Sequence, residues 1–307
     1  MEMNSQLPPC PPLAPVARRM FSRCILLLLV AAGFRAQAAD PLHCFWEVTG
    51  PSNTVHFLGS IHFMKPDAYP LAPIIENTFE RAKVVAFETD IEALNSPRTA
   101  AKMMQAGAAP AGKKLADLID AKLYQRLERA IDGGGLPIEV FDGMRPWMVG
   151  VMLATMDIQK LGYMPEHGVD HRFHKMAKAQ GKRIVALETV DSQLGVFTSL
   201  DAPTEAGLLS QSLEEMKRIP VVLEEMVLAW KTGDAEKLDK LMNEGMKGSP
   251  GLYQKLLVDR NHKWIPSIEK LLRGSDPGIV IVGAGHLVGI NGVPELVRRR
   301  GYQVRQR

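Results

Sequence analysis

Two Gly-x-x-His segments, Gly59-Ser-Ile-His62 and Gly283-Ala-Gly-His286, each follow a short apolar run. A second repeated pattern, Val85-Ala-Phe-Glu88-Thr and Val185-Ala-Leu-Glu188-Thr, puts a glutamate after another pair of apolar runs. The glycine allows a sharp turn off a strand, so an imidazole could reach over the strand end. His62 and His286 with Glu88 or Glu188 make a nitrogen and oxygen donor set suited to zinc, manganese or cobalt. Two or three protein ligands leave a position for water, as in catalytic rather than structural sites. A metal-bound water could attack a carbonyl while a remaining acid moves the proton. A carboxylate after three apolar residues needs a partner if it is buried. Arg260, beside Asn261 on an expected helix, is available as that partner or as a clamp on a substrate anion.

Other groupings are weaker. His167, Asp170, His171 and His174 imitate a metalloprotease spacing, but Pro165 and Gly168 put His167 at or before the helix start. Asp170 is the member of that group expected to matter. Gly283–Gly289 lacks the helix start and downstream acid of a dinucleotide loop. There is no G-x-S-x-G nucleophile elbow, and Cys44 has no catalytic context.

The elements that must carry these residues are legible in outline. Val55–Ile61, Val84–Phe87, Ile184–Leu187 and Gly278–Val282 are nearly continuous apolar runs, as expected of strands covered on both faces. Phe45–Val48 is predicted to form a hairpin with Val55 onward, and Tyr302–Val304 an edge strand. Helices are expected over 71–83, 169–180 and 294–300. Residues 96–165 and 203–273 lack strand signals and read as helical insertions. Within them, 114–131 is predicted to be one helix, ended by Gly133-Gly134-Gly135, and 203–273 three helices, separated near Gly233 and around Gly248–Gly251. The fold class is therefore α/β, with a mostly parallel central sheet of two related halves and a helical insertion. Each repeated motif would face a shared site at the carboxyl ends of the strands, where open sheets bind ligands.

Composition narrows the partners. The 307 residues are 46% hydrophobic and 23% charged, an ordinary globular balance. The net charge of +3 sits wholly in the first 38 residues, leaving 33 basic and 33 acidic residues after them. That neutrality argues against a nucleic-acid partner. Arg18, Arg19 and Arg23, the run Cys24–Phe34 and Ala36-Gln-Ala38 have the order of a secretory signal over residues 1–39, with residues 40–307 as one domain. The eleven-residue run is too short for a bilayer span, so no stable membrane span is expected after cleavage. Cys44 is then the only remaining cysteine, which excludes internal disulfides and Cys-rich zinc sites.

These segments together resemble the TraB/GumN family, which also includes PrgY and the animal Tiki proteases. The resemblance is carried by Phe57–His62, Val85–Thr89, Gly168–Asp170, Ala177–Gln193, Arg260-Asn261 and Gly283–Tyr302, in the family's order. It implies an erythromycin-esterase-like α/β fold. It also implies a divalent metal ion at His62, Glu88 and His286, with Glu188, Asp170, Arg260 and Asn261 matching the family's functional positions. The expected function is an exported metal-dependent hydrolase, a peptidase, acting on a peptide or small molecule in the periplasm or outside the cell. The alternative is a non-catalytic periplasmic binder of peptide, haem or metal, or an envelope accessory protein.

Overall fold

A computed structural model describes residues 41–132, 136–244, 246 and 250–307. The expected signal segment, the Gly133–Gly135 break and Gly248 lie outside the described residues. Six strands form one sheet: β1 (Phe45–Thr49), β2 (Thr54–Ser60), β3 (Val84–Phe87), β4 (Arg183–Ala186), β5 (Gly278–Gly283) and β6 (Gln303–Gln306). Their order is β4-β3-β5-β2-β1-β6. The first four are mutually parallel, and β1 pairs antiparallel with β2 on one side and β6 on the other. The parallel strands β3 and β5 are buried along their whole length, as their unbroken apolar sequence requires. The two sequence halves do not form separate lobes. β2 and β3 of the first half alternate with β4 and β5 of the second across the sheet.

Helices Pro73–Arg81, Val169–Ala179 and Asp259–Arg273 contribute Phe79, Phe173 and Trp264 to the core built on the sheet, each fully buried. A second apolar cluster joins Leu115, Leu127, Phe141, Val149 and Leu209 from segments that carry no strand. Here two expectations need correction. The helix expected over 114–131 is a short 3-10 turn, Leu115–Asp117, followed by Ala121–Asp132. The Asp120 carboxylate accepts the Leu123 N–H at 2.7 Å and so starts a new helix, the ordinary effect of an aspartate at a cap. Likewise 203–273 holds more than three helices. Ala202–Glu215 and Ile219–Lys231 are separate because Pro220 sits in the first turn of the second. Among the described residues no helix is long and apolar enough to cross a membrane.

Candidate metal centre

The register fixes the site. Ser60 pairs with Gly283, and Phe87 pairs with both Ile281 and Ala186, so all four parallel strands end along one edge. Across that edge the chain presents Glu188, Glu88, His286 and His62 in sheet order. Gly283 permits the convergence. A Cβ there would lie 3.1 Å from Glu88 Oε1 and 3.3 Å from His62 Nε2, and the 3-10 turn Ala284–His286 begins immediately after it.

Glu88 stands at the centre. Its Oε1 accepts the Gly283 N–H at 2.7 Å, and its Oε2 accepts from Gln193 Nε2 at 3.1 Å and Arg260 Nη2 at 2.5 Å. Burial pushes this carboxyl up, but His286 (once it protonates in acid), the cations Arg260 and His62, and the Gly283 N–H more than reverse that and leave it at about 2. The two histidines approach the same oxygen, with His62 Nε2 at 4.0 Å and His286 Nε2 at 3.8 Å from Glu88 Oε1.

Each imidazole is aimed from behind. His62 Nδ1 donates to Asp170 Oδ2 at 2.7 Å, and this carboxylate raises the histidine to about 9. The His62 side chain is 53% exposed, so solvent screens part of that effect. Burial alone would raise Asp170, and His62 brings it below its ordinary value. His286 is buried, its ring 4.4 Å from that of Trp264. Asn261 Nδ2 donates to the carbonyls of His286 and Asn291, which turns its Oδ1 toward His286 Nδ1 at 2.6 Å. His286 must therefore carry its hydrogen on Nδ1 and present a lone pair at Nε2. Burial holds its pKa down at about 3, so the ring is neutral near pH 7. Second partners of this kind commonly fix the tautomer and direction of metal-ligating histidines.

Arg260 has no donor to spare. Its Nε and Nη2 donate to Glu188 Oε1, Nη2 also to Glu88, and Nη1 to the Leu256 carbonyl and His286 Nε2. Leu256 lies in a π-helical turn, Gln254–Val258, a wider winding that recurs at functional sites. All five guanidinium N–H groups are thus used inside the chain, which leaves none for a substrate anion. Glu188, pinned through Oε1, has a buried Oε2 without a partner among the described residues.

Among the described residues no three His, Cys, Asp or Glu side chains already converge as a ligand set. The donor chemistry nevertheless fits a divalent cation. Ligand atoms bound tetrahedrally at ~2.05 Å stand about 3.4 Å apart. The 3.8 and 4.0 Å separations need only a few tenths of an ångström of contraction, with Arg260 releasing His286 Nε2. The rival histidine group does not assemble. Tyr69 donates its hydroxyl hydrogen to the His167 carbonyl, His171 Nε2 accepts from Asn95, and His174 is buried against the Phe87 ring. Sequence reasoning missed Gln193, which helix Val190–Thr198, started by the Thr189 cap, swings onto Glu88.

Residues 44–306 match the model of the TraB/PrgY/gumN family. The chain belongs to that family. It is 27% identical over 262 residues to the uncharacterized protein YbaP of Escherichia coli K12, covering 83% of this chain and 94% of YbaP. It is 23% identical over 303 residues to the human metalloprotease TIKI1, covering 81% of this chain and 59% of that one. The Danio rerio metalloprotease TIKI2 is 21% identical over 300 residues, covering 81% and 57%. No solved structure matches.

Proposed function

We propose that this protein is an exported, divalent-metal-dependent hydrolase of peptide bonds. The observation that carries the reading is the pair of imidazoles, brought from opposite ends of the chain, whose Nδ1 atoms are anchored and whose Nε2 atoms face one glutamate oxygen. His62, His286 and Glu88 would hold the metal, which is manganese, cobalt or zinc. When bound, the ion supplies Lewis acidity and a water that ionises near neutral pH. Asp170 and Asn261 orient the two rings. Arg260 helps keep Glu88 ionised and pins Glu188 at the dry edge of the sheet, so Glu188 and Arg260 act by positioning rather than by touching substrate. The distant likeness to two metalloproteases supports peptide hydrolysis. The reading carries with it a signal over 1–39, a periplasmic or secreted location and an erythromycin-esterase-like fold.

The Arg260 bond to His286 Nε2, which already satisfies that nitrogen, favours a second reading, a non-catalytic binder of peptide. One experiment separates the two. Metal content by mass spectrometry and digestion of a peptide mixture are compared between wild type and His62→Ala/His286→Ala. Near-stoichiometric metal and chelator-sensitive cleavage in wild type, both absent from the folded double variant, are expected. Full cleavage by the double variant would end the hydrolase mechanism, and saturable ligand uptake without turnover would favour the binder.

A further inference from the structure

A cavity of about 310 Å3 opens beside His62 and Glu88, and neither residue's proposed role accounts for its shape. Its walls are mainly apolar, with Phe63, Ile91, Leu94 and Pro165 contributing. The short helix Ile91–Leu94 that supplies two of these is held by Asp90, whose carboxylate accepts the N–H groups of Glu92 and Ala93. Two further lining residues, Ser60 and Thr89, are 3% and 4% exposed, and their hydroxyls lack hydrogen-bond partners among the described residues. A buried hydroxyl without a partner carries a desolvation cost that a suitable ligand would recover.

We infer that this cavity is a side-chain subsite for an aliphatic or aromatic residue next to the scissile bond, with the adjoining peptide amide meeting Ser60 and Thr89. The inference rests on the peptidase reading and names its substrate class. The volume is at the lower end of ligand pockets, which suits one side chain with its flanking backbone. A pure hydrocarbon would leave both hydroxyls unpaired, whereas an amide brings an acceptor and a donor to groups that can donate and accept. An acidic side chain would meet the carboxylates of Glu88 and Asp170 at the same edge.

The test reads binding separately from cleavage. N-acetyl amino-acid N-methylamides of leucine, phenylalanine, serine and aspartate are titrated into the full chain, followed by methyl NMR of Ile91 and Leu94. Leucine and phenylalanine probes are expected to bind at least tenfold more tightly than serine or aspartate. Ser60→Ala and Thr89→Val should each weaken them about fivefold. Leu94→Trp should shift preference to an alanine probe and Leu94→Ala toward phenylalanine, opposite changes that misfolding would not produce. Equal affinities for all four probes, or shifts that spare Ile91 and Leu94, would overturn the subsite. Apolar selectivity without cleavage of any peptide would keep the subsite and refute the hydrolase reading instead.

Discussion

Arg260 ties together the two acids at the sheet edge. Its side chain is 10% exposed, against 11% for Glu88 and 6% for Glu188, so water compensates none of the three well. Removing one partner of a buried pair strands the others and costs about 3–5 kcal/mol. Arg260→Met is therefore expected to lose that much in urea unfolding at pH 7. Arg260→Lys should recover less than half, since an ammonium has three donors where the guanidinium makes five hydrogen bonds. Glu88 gives a pH signature of the same network. Its folded pKa of about 2 lies below its ordinary 4.5, so the stability it contributes is present above pH 4.5 and is lost as pH falls toward 2. The linked loss is about 3 kcal/mol across that window. Urea midpoints measured from pH 5 to 2 should fall steeply in wild type and more shallowly in Glu88→Gln. His62, Glu88 and His286 were legible because glycine and strand-end spacing mark them. Ser60, Thr89 and Gln193 were not, because a hydroxyl or amide has no type-specific signal until a cavity or a carboxylate is placed beside it.

Helix Val169–Ala179 is docked so closely that its first residues determine what His62 can do. The Val169 N–H donates to the Ile61 carbonyl, and a Cβ on Gly168 would lie 2.3 Å from the His62 carbonyl oxygen. Backbone cannot yield as a side chain can, so Gly168→Ala should push the helix start away and take Asp170 with it. The expected result is a loss of about 1–3 kcal/mol and a fall of the His62 pKa from about 9 toward 6.5, read from its ring proton shift. Gly195→Ala serves as the control: its Cβ would meet nothing within 4 Å, and a helical alanine should stabilise by about 0.5–1 kcal/mol. Retention of the raised His62 pKa in Gly168→Ala would show that Asp170 is placed by something else. At this scale the buried strands were readable, since continuous apolar sequence has few other uses. The breaks at Asp120 and Pro220 were harder to see, because apolar periodicity continues across both while one capping carboxylate and one missing N–H interrupt the backbone.

The interleaving of the two halves is a property of the whole molecule. No local pattern specifies that β5 lies between β3 and β2, since that order depends on pairings between residues roughly 200 positions apart. Its consequence is that a cation held by His62, Glu88 and His286 would tie together three strands that unfolding separates. Such an ion binds the folded chain alone, so at 100 times its dissociation constant it adds about 2.7 kcal/mol to unfolding. For a domain of this size that corresponds to a rise of about 5–10 °C in Tm. The rise should be absent from His62→Ala/His286→Ala. It should also depend on pH in a definite direction. His286 is neutral above about pH 3, but His62 holds a proton up to about 9, and binding must release it. Affinity should then fall about tenfold for each unit from pH 8 to 6, shrinking the stabilisation at fixed cation concentration by about 1.4 kcal/mol over the first unit and by less as the site empties. Asp170→Asn removes the main cause of the raised His62 pKa, so in that variant the decline should begin only near pH 6.5. Thermal unfolding with and without manganese, cobalt or zinc across this range measures all three curves. A shift that ignores pH, or one that survives in the double histidine variant, would move the cation away from this edge of the sheet.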